Sequence, residues 1–297
     1  MTAGLKETNR SENTQQFSIV IPTWNSLEYL QLCLGGLRRH SHFFNQIIVF
    51  VNDGNDGTIE WLEKQTDIDF VHAERNMGVC FAVNACRSLV KHDYIVYMND
   101  DMIPCPDWDL HLANEIKQMN TDFFYLSATL IEPKKLNNPN YVAIIHDFGT
   151  SPENFREEEL LEACSSLKKE DWQGGSWPPS VVHKKIWDLI GGFSIEFSPG
   201  MYSDPDFSMK LWSIGVRIFK GIGKSKVYHF GSHSTKRIRK NKGSRLFLNK
   251  WGMTSRTFYN EVLQVGKPWK SAYPDEVLLS FLPKTRNKLK KLINSLT

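Results

Sequence analysis

Four short runs rich in apolar residues, at 17–22, 47–52, 68–72 and 94–98, each give way to a polar or glycine-containing turn, and helical spacing of apolar residues fills 26–39, 57–65 and 78–91 between them. Runs of five or six residues have the length of strands covered on both faces, and strands that alternate with helices pair in parallel through helical crossovers. The pattern therefore predicts an α/β fold: a Rossmann-like, mostly parallel central sheet flanked by helices. Ligands of such sheets bind beyond the carboxyl ends of the strands, which directs attention to the turns. The fourth run, Tyr94-Ile95-Val96-Tyr97-Met98, stops at Asn99 and two adjacent carboxylates, Asp100 and Asp101. Two hard oxygen donors at a buried strand end suit Mg²⁺ or Mn²⁺, with a substrate's phosphates completing the shell. The same dipeptide also suits a helix cap or a surface turn.

Three other segments add weight to the metal reading. The strand Phe17–Pro22 turns through Thr23, Trp24 and Asn25 into a helix. The strand Ile47–Val51 ends in Asn52-Asp53-Gly54, and Glu74-Arg75-Asn76-Met77-Gly78 leads into a helix carrying Asn84. Strand ends and helix starts thus converge three times before Asp101, an arrangement that can cradle a nucleotide.

In these residues the chain resembles the family 2 glycosyltransferases, which have the GT-A fold. Their P-x-Y-N-like turn, D-D-G-S-like turn, N-x-G segment and D-x-D-like motif are matched in order by Pro22-Thr23-Trp24-Asn25, Asn52-Asp53-Gly54-Asn55, Asn76-Met77-Gly78 and Asn99-Asp100-Asp101. Further on, Ile190-Gly191-Gly192-Phe193 and Tyr202–Gly215 resemble the family's G-G-F and E-D-x-D segments, in which an acidic residue heads a helix beside the donor and acts as base. The resemblance puts Asp204 in the base position and Asp206 in a supporting one, although Ser203 stands where Glu is usual. It also implies that His229, at the end of a β-like run from Val227, adds a metal ligand. The basic run Lys236–Lys242 would be a loop that closes over the diphosphate. The resemblance covers roughly 17–235.

From it follows an expected activity: metal-dependent, inverting transfer of a sugar from a nucleotide-sugar donor to a hydroxyl of a glycan or glycoconjugate acceptor. Pro22, Thr23, Trp24, Asn25, Asp53, Asn76, Gly78 and Asp100 would hold the nucleotide, and Asp101 and His229 the Mn²⁺ or Mg²⁺. Trp24 offers an aromatic face to the base, and a carboxylate at Asp53 suits the N3–H of uracil, so UDP is the leading donor nucleotide. Guanine and thymine also present N–H groups. Gly78 would let the backbone approach the nucleotide closely. Trp172 and Trp177, around a loop on the acceptor side, could stack on a sugar but better fit core packing. Alternatives are a non-catalytic nucleotide-sugar or glycan-binding protein on a degenerate scaffold, or a sugar nucleotidyltransferase. The latter would carry a Gly-rich, basic loop where Pro22–Asn25 stands. Q-x-x-R-W, the mark of a processive synthase, is not found.

The remaining readings are coarser. The chain divides into a disordered tail (1–16), a nucleotide-sugar-binding half (17–130), an acceptor-binding and catalytic half (131–235), and a basic loop with a helical extension (236–297). With 36 Lys+Arg against 33 Asp+Glu, net +3, no bulk nucleic-acid binding is expected. Positive charge is nevertheless concentrated: 207–260 holds 13 Lys+Arg and no carboxylate. Five cysteines without C-x-x-C spacing suggest reduced thiols and a cytoplasmic protein, and no run is long enough to span a bilayer. The basic, amphipathic C-terminus from Pro283 suits either packing on its own domain or peripheral contact with a membrane surface.

Overall fold

The computed structural model describes residues 17–135, 141–231, 242–277, 279 and 281–295. The first half runs β1 (Phe17–Trp24), α1 (Leu27–His40), β2 (Gln46–Asn52), α2 (Thr58–Leu62), β3 (Ile68–Ala73), α3 (Val79–Ala85) and β4 (Tyr94–Tyr97). It continues through β5 (Met102–Pro104), α4 (Trp108–Gln118), β6 (Phe124–Glu132), β7 (Ile144–Ile145) and α5 (Glu157–Ala163). Then come β8 (Trp172–Gln173), β9 (Ser180–His183), α6 (Lys184–Ile190), α7 (Ser203–Ser213) and β10 (Ile218–His229). The described chain closes with α8 (Gly243–Trp251), α9 (Ser255–Thr257), which runs into a π turn at Phe258–Val262, and α10 (Phe281–Ser295).

One sheet of ten strands runs through the chain in the order β3-β2-β1-β4-β9-β6-β10-β5, with β7 beside β6 and β8 beside β10. Period-two alternation explains why both faces are covered. Ile19, Ile21, Ile47, Val49 and Val51 face one core, where α1 adds Leu30, Cys33, Leu34 and Leu37 and α4 adds Trp108, Leu112 and Ile116. Val20, Ile48 and Phe50 face the other, filled by Cys80 and Val83 of α3, Ile186 and Trp187 of α6, and Phe207 and Leu211 of α7.

The four strands and three helices expected in the first half form, and α4 and β6 follow them. α5 ends at Ala163 and buries Leu160. The centre of the sheet departs from the parallel pattern: β9 lies antiparallel between β4 and β6, with Tyr97 opposite Ser180 and Leu126 opposite Val181. Four residues following Pro178-Pro179 are too short to show a period, which hid this strand. Lysines and glycines interrupt β10, so only its Val227–His229 end could be read. All five cysteines are buried and unbridged. Among the described residues no helix is long and apolar enough to cross a membrane. The tail 1–16 and the basic run from Lys236 up to Asn241 lie outside the described residues.

Candidate active site

Three turns are tied together by asparagines, whose side chains can donate and accept at once. The Asn25 carbonyl accepts the N–H groups of Gly54 (2.9 Å) and Asn55 (3.0 Å), and its amide donates to Asp53 Oδ2 (3.1 Å). Asn52 stands where the family motif has Asp. Its Oδ1 accepts the Met77 N–H (2.8 Å), and its Nδ2 reaches Thr23 O (3.4 Å). Asn25 and Asp53 both have positive φ, 45° and 69°, a region Asn and Asp tolerate better than most residues. Asn76 Oδ1 accepts the Gly78 N–H (2.8 Å). Gly78 itself has φ +80°, and a Cβ there would lie 2.8 Å from Pro199 Cα, while the Val79 N–H donates to Pro199 O (3.0 Å). The close approach that this glycine permits is therefore to the loop before α7.

The carboxylate pair sits where β4 ends and β5 begins. Thr23 Oγ1 donates to Asp100 Oδ2 (2.7 Å), fixing one carboxylate against the end of β1. Antiparallel pairing of β5 with β10 sets His229 opposite Met102, and the Phe230 N–H donates to Asp101 O (3.2 Å). Across that register His229 Nε2 stands 3.4 Å from Asp101 Oδ1. On the other side of the ring, His229 Nδ1 lies 2.6 Å from Oε1 of Glu132, the last residue of β6 and 3% exposed. Tyr141 Oη donates to the other Glu132 oxygen. Burial alone would lower the pKa of His229, but the charge and contact of Asp101, then those of Glu132, raise it to about 10.

The donor set suits a divalent cation. Two ligands at about 2.1 Å and at right angles are roughly 3 Å apart, close to the Asp101–His229 separation. Oxygen plus imidazole fits Mn²⁺ as well as Mg²⁺. Among the described residues no three His, Cys, Asp or Glu side chains surround a common metal position. Further ligands would have to come from phosphate and water.

The first turn of α7 carries two carboxylates in different circumstances. Asp204 is half-buried, and its Oδ1 is shielded from solvent and accepts no hydrogen bond among the described residues. Burial pushes its pKa up to about 7. Its charge in turn helps raise the pKa values of Tyr97 and Tyr259, which are first raised by their own burial. Asp206 is fully buried, and its Oδ1 takes Trp251 Nε1 (2.8 Å) and Lys250 Nζ (3.0 Å). Asp206 thus anchors α8 to α7, whereas Asp204 Oδ1 has no such partner among the described residues. Ser203 Oγ donates to Gly200 O (2.6 Å) and so belongs to the loop's own framework.

A cleft of about 480 Å³ collects these pieces. Its lining includes Pro22, Thr23, Trp24, Asn76, Gly78 and Asp100 from the strand ends and Pro199–Asp204 from the loop leading into α7, with Tyr97 and Pro178. Asp101 follows the lining residue Asp100 in the chain and carries His229 beside it, while Asn25, next to Trp24, and Asp53, in the turn after β2, lie outside the cleft lining. Trp172 and Trp177 stack on each other (5.3 Å between centroids), and the Trp172 indole donates to Thr129 Oγ1 (3.1 Å). Trp172 is therefore a packing residue. Glu132 and the Lys250–Trp251 pair were missed in the sequence. Glu132 shares with Asp100 and Asp101 a place at the end of an apolar strand, but its partner His229 is 97 positions away.

A twisted mixed sheet flanked by helices, with a polar cleft over its strand ends, is the GT-A fold of glycosyltransferases. The pattern of Glycosyl transferase family 2 matches residues 18–169, just over half of the chain, and the chain belongs to that family. The chondroitin synthase of Pasteurella multocida (strain Pm70) is 24% identical over 257 residues, which cover 76% of this chain and 25% of that protein. The chain thus spans about a quarter of that relative's length. Among solved structures, GalNAc-T7 with UDP, GalNAc and Mn²⁺ is similar with TM-score 0.58 at 13% identity, covering 94% of this chain and 55% of the other. S. aureus TarS 1-349 in complex with UDP-GlcNAc gives 0.54 at 14% identity, covering 95% and 73%.

Proposed function

We propose that this glycosyltransferase moves a sugar from a UDP-sugar, with Mn²⁺ or Mg²⁺, to a hydroxyl of a glycan or glycoconjugate, with inversion. The observation that carries the reading is that one cleft joins Asp100, at the strand end, to a carboxylate, Asp204, whose pKa lies near neutrality. Trp24 would flank the base, Asp53 would accept its N–H, and the Asn76–Gly78 turn would border the nucleotide. Asp101 and His229 would hold the cation, with Asp100 beside it. When bound, that cation would neutralise charge on the diphosphate as the bond to the sugar breaks. Asp204 would accept the acceptor's hydroxyl proton as the new bond forms at the anomeric carbon, which calls for a base of this strength. UDP in GalNAc-T7 and UDP-GlcNAc in TarS support UDP, and the similarity to a chondroitin synthase supports a glycan acceptor.

The test is a screen of UDP-, GDP- and dTDP-sugars with Mn²⁺, repeated with Asp101→Ala. UDP-sugars are expected to bind best, and the variant to stay folded while losing Mn²⁺-dependent transfer. Unchanged activity in a folded Asp101→Ala protein would sink the reading. In the same picture α10, with Leu289 and Leu292 57% and 58% exposed among lysines, is proposed as a peripheral membrane contact.

A further inference from the structure

The strongest unexplained group beside the cleft is Glu132. A carboxylate 3% exposed is costly to bury unless its oxygens are satisfied, and both are. Oε1 faces His229 Nδ1 at 2.6 Å, and Oε2 takes the Tyr141 hydroxyl. The main chain is held as well: Ile131 is opposite Tyr228 in the β6–β10 ladder, and the Glu132 carbonyl accepts the His146 N–H (3.0 Å). The fixed main chain places the side chain beside the imidazole, and the Tyr141 hydroxyl holds its second oxygen there.

The consequence for His229 is directional. A carboxylate facing Nδ1 keeps the proton on that nitrogen and turns Nε2 toward Asp101, 3.4 Å away. Carboxylate–imidazole pairs of this kind fix the ring of a metal-binding histidine and raise its basicity. We propose that Glu132, braced by Tyr141, is a positioning residue that orients His229 as a donor to the cation. This rests on the metal reading above and adds to it a residue no motif pointed to.

The test measures Mn²⁺ binding in the presence of UDP, by electron paramagnetic resonance or calorimetry, alongside transfer at graded Mn²⁺. Glu132→Ala is expected to weaken Mn²⁺ affinity about 10–100-fold, the usual cost of losing such a partner. Transfer should recover at high Mn²⁺. Glu132→Gln, which can still accept from Nδ1, should restore most of the affinity. Tyr141→Phe should lose a few-fold, and this milder variant keeps the test decisive if Glu132→Ala does not fold. Unchanged Mn²⁺ affinity in folded Glu132→Ala, or in Tyr141→Phe where Glu132→Ala fails to fold, would overturn the proposal and leave the metal reading standing. Absence of Mn²⁺ binding by the wild-type protein with UDP would overturn the metal reading, and this proposal with it.

Discussion

Asp204 makes the sharpest demands on pH. Its environment favours the protonated form, so the proposed base is mostly occupied below about 7, and transfer should fall roughly tenfold per pH unit on the acid side. The same shift acts on stability with the opposite preference. A carboxyl whose folded value is raised above the ordinary 3.8 costs stability as pH climbs through that window, because ionisation is disfavoured only in the folded state. Asp204→Asn should therefore melt higher than wild type at pH 8 and match it near pH 4, while slowing transfer about 10²–10⁴-fold and changing UDP affinity only a few-fold. Thermal melts at the two pH values and single-turnover rates check both halves. Normal turnover by Asp204→Asn alongside a dead, folded Asp206→Asn would move the base to Asp206, against the Trp251 and Lys250 contacts that now occupy it. Asp53→Ala should weaken UDP binding by about 1–3 kcal/mol if it pairs with the base. Calorimetry giving equal affinities would remove it from the nucleotide site.

Among elements, the loop before α7 and the helix α10 carry separable predictions. Gly78→Ala puts a Cβ against the Pro199 main chain at a positive φ, so about 1–3 kcal/mol of stability should be lost and the cleft wall displaced. Denaturant melts should show the loss, and UDP affinity should drop about tenfold with it. An affinity that holds while stability falls would mean that the loop does not shape the nucleotide site. α10 is fastened to the domain by its polar side. Asn287 is 3% exposed and accepts from Thr257 Oγ1 (3.0 Å), which leaves the leucines at 289 and 292 outward. Leu289→Glu with Leu292→Glu should then abolish sedimentation with anionic vesicles and leave transfer to a soluble acceptor unchanged. Wild-type protein that stays in the supernatant would dismiss the membrane role.

At the scale of the molecule, legibility followed the range of the interactions. The strand-end motifs were readable because Pro22–Asn25, Asn52–Asn55, Asn76–Gly78 and Asn99–Asp101 are each local in sequence, the first three between a strand and the helix after it and the last between β4 and β5. Glu132 was not, because its meaning depends on His229, 97 positions later, and on the β6–β10 register. Asn52 looked like a departure from its motif, yet it splices the Thr23 and Met77 turns by using both faces of an amide. β9 was invisible for the same reason at larger size: four residues acquire an identity only between β4 and β6. That placement governs assembly. The first four strands can zip together through near neighbours, but β4 cannot join β6 until residues 180–183 arrive, some 80 positions on. A seam closed that late makes topology the slow term in folding. A fragment ending at residue 169, where the family match stops, should keep helical and strand signal by circular dichroism but lose a cooperative melt. During synthesis the edge of β4 therefore stands open while roughly 80 further residues are added, a matter of about 4–16 s at ordinary elongation rates. That interval is when the nascent chain is most exposed to pairing with a stranger.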